Sequence, residues 1–174
     1  MTDPFEAIAS SLDPALIIVT AAGAEERAGC LVGFHAQSSI MPPRYAVWLS
    51  KANHTYRVAL HCTHLAIHFL TSGDLPLADL FGGRTGDSVD KFAGLQVGQG
   101  AGRTPIIDQC PNRLVVRRTA LLDEGGDHVC VVTEPVEVHS GGPFEPLRTS
   151  QAAHLVAGHP PWERRYPPTE RAAP

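Results

Sequence analysis

The sequence predicts a mainly β domain with short helices, folded as a closed antiparallel barrel. Runs of β-branched and apolar residues recur at short intervals, and only brief helical patterns separate them. The paired glycines of "DEGGD", residues 123–127, mark a tight hairpin between two long apolar runs. Because such short connections cannot supply the crossovers of a doubly wound parallel sheet, the antiparallel barrel is favoured.

Length and charge limit the class of protein. The chain has 174 residues, which fits one domain with a single core. Its apolar fraction of 43% is ordinary for a globular protein, and its formal charge of -4 is small and evenly spread. We therefore expect no nucleic-acid partner.

The cysteines and the N-terminus indicate a compartment. Four cysteines are widely separated and form no C-x-x-C pair, so we expect reduced, packed thiols rather than a zinc site or a disulfide framework. Residues 1–15 carry acids where a signal peptide would be basic, and no apolar run approaches the roughly 18 residues of a membrane span. The expected location is the cytoplasm, with no membrane partner.

The first part of the chain predicts a helix and then three strands. The helix covers residues 3–12, where Asp3 can accept backbone hydrogen bonds at its start. "ALIIVTA" and "AGCLVGFHAQ" predict two strands joined by the turn "GAEER". Pro42 and Pro43 cannot donate to a strand ladder, so they end this region at a sheet margin before a third strand, "RYAVWLS".

The middle of the chain alternates short helices with one strand. We predict a helix capped by Asn53 or Thr55, followed by the strand "LAIHFLT". "DLPLADLFGG" and "DSVDKFAG" predict further short helices. The four glycines between Gly94 and Thr104 predict a flexible loop that could act as a lid.

Two long antiparallel strands around "DEGGD" complete the predicted domain, which we place at residues 1–158. Residues 159–174 are rich in proline and charge, so we expect an extended or disordered arm. Trp162 and Tyr166 in this arm are candidates for docking on a partner subunit.

Three familiar kinds of site find little support. His61, His64 and His68 follow an H-x2-H-x3-H pattern, but His68 lies in a predicted strand, so the rings should diverge and no metal site is expected. "GLQVGQGAGR" lacks the strand and helix context of a dinucleotide fingerprint. No G-x-S-x-G elbow supports serine hydrolysis.

An anion site is the remaining candidate, at "QSSIMPP" and "SKANHT". A helix start offers free N–H groups and a favourable dipole to a phosphate. The second segment adds hydroxyl and amide donors and nearby cations, and the first could approach from the adjacent strand end: Ser50, Asn53 and Thr55; Lys51 and Arg57; Ser38 and Ser39. The alternative is that these side chains only cap a helix and turn a corner.

Over residues 13–155 the sequence resembles the flavin reductase-like proteins. These are FMN-binding antiparallel split β-barrels, and they include the reductase components of two-component flavin monooxygenases. The matching segments occur in the family order: "AGCLVGFHAQSSIMPP", "SKANHT", "AIHFLT", "DKF", "GRTP", "GDHVCVV" and "EPL". The resemblance implies a flavin reductase-like split barrel over residues 1–158.

The resemblance also implies a set of site residues. Six consecutive residues would line the isoalloxazine and ribityl chain: Phe34, His35, Ala36, Gln37, Ser38 and Ser39. Four would hold the FMN phosphate: Ser50, Lys51, Asn53 and Thr55. Lys91 and Phe92 would lie beside the flavin, and His128 would act on the nicotinamide or substrate side as the catalytic residue.

Two departures from the family pattern affect this site. The family commonly has S-F-T-S-V-S before the two prolines, whereas this chain has "FHAQSS", so Phe34, Ala36 and Gln37 replace hydroxyls. Backbone N–H groups at the same positions could still reach a ring. Thr133 and Glu134 stand where a glycine usually follows the G-D-H strand.

The function implied by the resemblance is an NAD(P)H:flavin oxidoreductase. Hydride would pass from NADH or NADPH to FMN, or to FAD, so the protein would mainly orient two rings and need no acid-base triad. A homodimer is implied, with a possible oxygenase component as partner. Two alternatives stay open, namely a flavin-binding or sensory protein without turnover and a reductase that uses a deazaflavin.

Overall fold

The structure, a computed structural model, describes residues 3–158. It confirms the mainly β, antiparallel split-barrel fold, although the seven-stranded sheet curls into a half-barrel and does not close, and a separate two-stranded sheet packs against it. In chain order the strands are β1 Ile17–Ala22, β2 Arg27–Val32, β3 His35–Ser39, β4 Arg44–Ser50, β5 His64–Phe69, β6 Val97–Gln99, β7 Pro105–Ile107, β8 Arg113–Leu122 and β9 His128–His139. The predicted arm at 159–174, with Trp162 and Tyr166, lies outside the described residues.

Within the described part of the chain the helices are short. They are α1 Pro4–Ser11, α2 His54–Leu60 and α3 Leu75–Gly83, with single 3-10 turns at Ser72–Asp74, Ala101–Arg103 and Thr149–Ala152. Among residues 3–158, no helix has the length and apolar character needed to cross a membrane. Asp3 accepts the Phe5 N–H at 2.9 Å and caps α1, as predicted.

The large sheet has the order β2-β1-β5-β8-β9-β4-β3, and every pairing is antiparallel. The apolar run at β1 is unbroken because this strand is buried on both faces. Ile17 and Val19 belong to the core inside the half-barrel, and Ile18 packs outside it against α3. The four cysteines are free and buried, as predicted.

The predicted single strand "AGCLVGFHAQ" is wrong, because the chain changes partners in its middle. β2 ends at Val32 and pairs with β1, whereas β3 begins at His35 and pairs with β4. β2 and β3 therefore form the two edges of the sheet. An apolar pattern cannot show such a change of partner, because it does not record which strand each segment pairs with.

The predicted helix at "DSVDKFAG" is also wrong. Residues 91–95 form turns, and the Asp90 carboxylate accepts the Phe92 N–H at 3.0 Å. A side chain that bonds a backbone N–H two residues ahead gives the chain an alternative to the helix. The Lys91 side chain points into the interior, with 3% of the residue exposed.

The glycine-rich segment is ordered and packed rather than a loose lid. It contains β6 and one 3-10 turn, and β6 pairs with β7. Gly102 has a φ of 65°, and a Cβ there would lie 2.7 Å from Nδ1 of His64. Glycine is required because the chain takes a left-handed conformation in contact with β5.

Candidate functional site

One side of β3 has no strand partner. The Trp48 N–H donates to the Phe34 carbonyl at 2.9 Å, and Ala36 pairs with Ala46 two residues further on. In an antiparallel ladder the intervening residues direct their N–H and C=O groups away from the partner strand. The backbone groups of His35 and Gln37 therefore face the open edge, where they can bond a ligand.

The His35 ring fixes the position of β3 through two hydrogen bonds. Its Nε2–H donates to the Ala15 carbonyl at 2.9 Å, so Nδ1 accepts the Tyr45 hydroxyl proton at 2.7 Å. Burial lowers the pKa of His35 and raises the pKa of Tyr45 to about 12, so both groups stay neutral. The ring is thus held in one tautomer and fixes the position of β3, while its backbone remains available.

A cavity of about 270 Å³ opens where β4 ends and α2 begins. We call it the α2 cavity; it is lined by Leu31, Ser50, Asn53, Phe81, Gly82, Arg84, His128 and Ala157. Asn53 occupies the N-cap position but makes no side-chain cap bond, so its amide is not used by the helix. The lining is mainly apolar, but two of its residues suit an anion, because Arg84 supplies charge and Asn53 supplies an amide donor.

His128 connects this cavity to the beginning of the open edge. Its ring centroid lies 5.2 Å from that of Phe34, which is 60% exposed. Its Nδ1 lies 2.8 Å from a carboxylate oxygen of Asp127, and this bond lowers the pKa of Asp127. The Asp127 carbonyl in turn accepts the Lys51 N–H at 2.8 Å, which ties the start of β9 to the end of β4.

The structure brings together only part of the predicted phosphate set. Ser50 and Asn53 line the α2 cavity, but Lys51 directs its ammonium to Asp123, at 2.8 Å. The Thr55 hydroxyl is buried and bonds the thiol of Cys30. The Lys51 N–H donates to the Asp127 carbonyl, so Lys51 remains a prediction that this geometry does not support, and Thr55 remains one that depends on its backbone N–H.

Ser38 and Ser39 lie too far away to share an anion with Asn53, so that expectation is wrong. Ser39 pairs with Arg44 at the start of β4, whereas Ser50 ends the same strand. Six residue steps separate these levels, which is about 20 Å. The two segments therefore lie at opposite ends of the β3–β4 pair, and we call the surface between these ends the track. Arg57, the other predicted cation, bonds Asp87 and His54 outside the α2 cavity.

Lys91 and Phe92 stand behind the wall of the cavity. The Lys91 ammonium donates to the Phe81 carbonyl at 2.9 Å and to the Gly29 carbonyl at 3.1 Å. The rings of Phe92 and Phe81 meet edge to face with centroids 5.4 Å apart. Both residues support Phe81, and their direct contact with a ligand remains a prediction.

Arg84 is a site residue that the sequence reasoning missed. In the sequence, Arg84 is a single cation directly after the paired glycines that end α3, and such a cation is typical of a solvated helix end. Its place in the cavity depends on how α3 packs against β2. That packing is tertiary information, so no local pattern could identify Arg84.

The histidine series does not converge on a metal. His68 is buried in β5, donates from Nδ1 to the Ile18 carbonyl at 3.3 Å and accepts the Ile107 N–H at 3.0 Å. Burial lowers its pKa to about 4, so it stays neutral. Within residues 3–158, no group of three or more His, Cys, Asp or Glu side chains is placed to hold a metal ion.

Comparisons with known proteins agree with this fold. The family model described as "Flavin reductase like domain" matches residues 10–152. The chain therefore belongs to the flavin reductase-like family.

Solved structures share the architecture at low sequence identity. A putative flavin reductase from Haemophilus somnus is 17% identical, with a TM-score of 0.76 over 85% of this chain and 94% of that one. The NADH:FAD oxidoreductase of Streptomyces globisporus is 21% identical, with a TM-score of 0.68 over 84% and 96%. A Mycobacterium thermoresistibile homologue of nitrilotriacetate monooxygenase component B is 20% identical, with a TM-score of 0.68 over 82% of each chain.

Proposed function

We propose that this protein is an NAD(P)H:flavin oxidoreductase that binds its flavin along the open edge of β3. The observation that carries the proposal is the continuity between that edge and the α2 cavity. Phe34 begins the edge, and its ring packs against His128 in the cavity lining. A flat ring system, a flexible polyol and a phosphate would follow one another along this track, which extends for about 20 Å.

The open edge suits the polar side of an isoalloxazine. Its pyrimidine portion alternates acceptors with an N–H donor, and backbone N–H and C=O groups of a strand edge can match such a pattern. Loss of the family's hydroxyls at Phe34, Ala36 and Gln37 does not remove these backbone groups. His35 keeps the edge in place through its bonds to Ala15 and Tyr45.

The α2 cavity suits the phosphate. Arg84 can bond two phosphate oxygens at once, and the Asn53 amide can donate a further bond. The Ser50 hydroxyl accepts the Ala52 N–H at 3.3 Å, which leaves its own proton available to a phosphate oxygen.

A bound flavin would supply the redox chemistry by accepting hydride from a nicotinamide, and the chain supplies binding and orientation. Asp127 accepts the Nδ1 proton of His128, so Nε2 is the ring nitrogen that can bond the nicotinamide amide. The buried Phe81 ring gives the phosphate end of the site an apolar wall, and Phe92 supports that ring from behind.

The electron donor, the cofactor and the partner are proposed from the names of similar proteins. NADH is the electron donor in the name of the Streptomyces relative, and the Mycobacterium relative is named as an oxygenase component. We extend both roles to this chain, with FMN or FAD as cofactor and an oxygenase as possible partner. Four free buried thiols suit the reducing cytoplasm, and exposed Ile40 and Met41 beside the track suit a homodimer contact.

A direct assay tests this function. Purified protein is mixed with FMN or FAD and with NADH or NADPH, and both flavin fluorescence and nicotinamide absorbance are followed. We expect quenching of flavin fluorescence and oxidation of the nicotinamide. Quenching with no nicotinamide oxidation would instead indicate a flavin-binding protein without turnover, and activity with a deazaflavin alone would indicate the third class.

A further inference from the structure

We propose that the segment 159–166 of this chain folds across the mouth of the α2 cavity and brings Arg164 and Arg165 to the flavin phosphate. This inference rests on the proposed function. The segment that would close the mouth is the protein's own chain, and it begins directly after Gly158, the last residue that the structure describes.

The described chain ends at the rim of this cavity. Ala157 is one of the lining residues, and the Gly158 N–H donates to the Gly82 carbonyl at 3.2 Å. Gly158 also lies close against the chain after α3, since a Cβ there would lie 2.8 Å from the carbonyl carbon of Arg84. Glycine permits such a close approach of two backbones, so the start of the segment 159–166 is held beside Arg84.

Packing just before Gly158 keeps this exit point in place. Leu155 packs against the buried cluster that contains Phe81, and its N–H donates to the Ala152 carbonyl at 2.9 Å. The exit point is therefore fixed to α3, the same helix whose end supplies Arg84 to the cavity.

The cavity lining supplies less positive charge than a phosphate monoester carries, which is about −1.5 to −2 at pH 7. Of the lysine and arginine side chains in the described part of the chain, only Arg84 lines the cavity. Lys51 and Arg57 flank the start of α2, but their side chains pair with Asp123 and Asp87. A second cation for the phosphate must therefore come from another segment.

The segment 159–166 is complementary to the cavity in both charge and polarity. Its sequence, HPPWERRY, has two arginines against one glutamate, so its formal charge is positive. Arginines can bond phosphate oxygens in pairs. Trp162 and Tyr166 add aromatic surface, and the lining that they would cover is mainly apolar, with Leu31 and Phe81.

The segment is also long enough to make this contact. Six residue steps separate Gly158 from Arg164, and an extended chain of that length spans at most about 20 Å. Because Gly158 already lies beside Arg84, this length is sufficient to cross the mouth of a cavity of about 270 Å³.

Trypsin cleavage of the full chain tests whether the segment covers the cavity. Trypsin cuts after arginine, so Arg164 and Arg165 are its sites in the segment, and Arg171, further along the chain, is an internal control. Cleavage is followed without ligand, with riboflavin and with FMN. We expect FMN to slow cleavage after Arg164 and Arg165 by about tenfold or more, because a charge-assisted bond to the phosphate lowers the open population by that factor. Riboflavin, which has no phosphate, should slow it by less than about twofold, and cleavage after Arg171 should change as little.

Affinity measurements test the phosphate contact itself. The double variant Arg164→Gln/Arg165→Gln removes both charges from the segment, so FMN should bind about tenfold more weakly and riboflavin within about twofold of the wild type. Arg171→Gln is the control for loss of charge outside the segment and should bind FMN within about twofold of the wild type. The titrations are made at 0.15 M salt, where the screening length of about 8 Å suppresses effects of distant charges.

Three outcomes would overturn the inference. The first is equal FMN affinity in the wild type and the double variant, and the second is equal cleavage after Arg164 and Arg165 with and without FMN. The third is protection by FMN only at protein concentrations at which the chain dimerises, since the segment would then cover the cavity of a second copy. If the wild type binds neither FMN nor riboflavin, the proposed function itself fails, whereas binding of both without protection removes only the present inference.

Discussion

The two edge strands of the sheet differ in what covers them. β2 is covered: Phe81 of α3 packs on it so closely that a Cβ at Gly29 would lie 2.6 Å from the Phe81 ring, and Lys91 donates to the Gly29 carbonyl. β3 is open: Ala36, Gln37 and Ser38 are exposed. An uncovered edge presents unpaired backbone groups, which proteins usually hide.

This difference gives two parts of one sheet two roles: the covered strands stabilise the fold, and the open edge of β3 offers backbone groups for binding. Around β1, β2 and β5, buried polar groups are satisfied inside the protein, as with Thr20, whose hydroxyl donates to the Pro105 carbonyl at 2.6 Å. Along β3 the backbone groups of His35 and Gln37 are left for a ligand or partner. Changes on the covered side should therefore alter folding, and changes along the open track should alter flavin affinity.

The largest expected effect is the loss of stability in acid that originates at His68. Its pKa is about 4 in the folded protein, against 6.5 for an ordinary solvent-exposed histidine. The unfolded chain therefore binds more protons between these values, so stability falls as pH decreases from about 6.5 to about 4, by about 3 kcal/mol. Burial lowers the pKa of His35 as well, which adds in the same direction.

Urea denaturation between pH 4 and pH 8 measures this effect. His68→Gln removes the titrating group, and its stability should depend less on pH than that of the wild type. Equal slopes for the two proteins between pH 4 and pH 6.5 would show that His68 is not buried in its neutral form.

The second prediction concerns Lys91 and tests whether this residue stabilises the fold or contacts the flavin directly. Lys91→Met keeps the length of the side chain but leaves the Phe81 and Gly29 carbonyls without their donor, so we expect a loss of about 2 kcal/mol in the free energy of unfolding. Denaturant unfolding measures the loss. FMN affinity of the folded variant should stay within about threefold of wild type, and a drop of a hundredfold would place Lys91 in contact with the flavin.

The third prediction concerns Arg84, on the open track. Arg84→Ala removes a cation from the α2 cavity, and we expect FMN and FAD to bind about tenfold more weakly, equivalent to about 1.4 kcal/mol. Thr55→Val is the matched control for the predicted phosphate set, since the Thr55 hydroxyl contacts Cys30 rather than the cavity. Titration by flavin fluorescence checks both, and unchanged affinity in Arg84→Ala would move the phosphate elsewhere.

The sequence predicted the antiparallel barrel because its signals are local. Alternating apolar residues, paired glycines at 125 and 126 and the cap at Asp3 each act over a few residues. The change of partner between β2 and β3 and the packing of Lys91 depend on residues distant in sequence, so they could not be seen there. For the same reason Ser38 and Ser39 were expected beside Asn53, whereas the pairing of β3 with β4 places them at the far end.

The sequence grouped cavity residues correctly where one segment supplies them and missed residues where distant segments converge. Ser50 and Asn53 line the α2 cavity because both flank the start of one helix. Arg84 reaches the same cavity from the end of another helix, and Thr55 turns inward because its position on α2 faces β2. Ser50 ends β4 and lies outside α2, so helix periodicity does not relate its direction to that of Thr55, and only tertiary packing shows which of the two faces the cavity.

The smallest expected effect tests whether His35 fixes the open edge through its bonds to Ala15 and Tyr45. His35→Phe removes the bond to the Ala15 carbonyl and the bond from Tyr45, so we expect a loss of about 1 kcal/mol in stability. Tyr45→Phe should cost less, because His35 keeps its bond to Ala15, and the double variant should cost no more than His35→Phe alone if the two side chains act as a pair. Because a strand held less firmly presents its backbone groups less accurately, flavin affinity should fall by about threefold in His35→Phe and far less in Tyr45→Phe. Additive losses of stability in the double variant would mean that the two rings stabilise the fold independently, and the open edge would then owe its position to β4 alone.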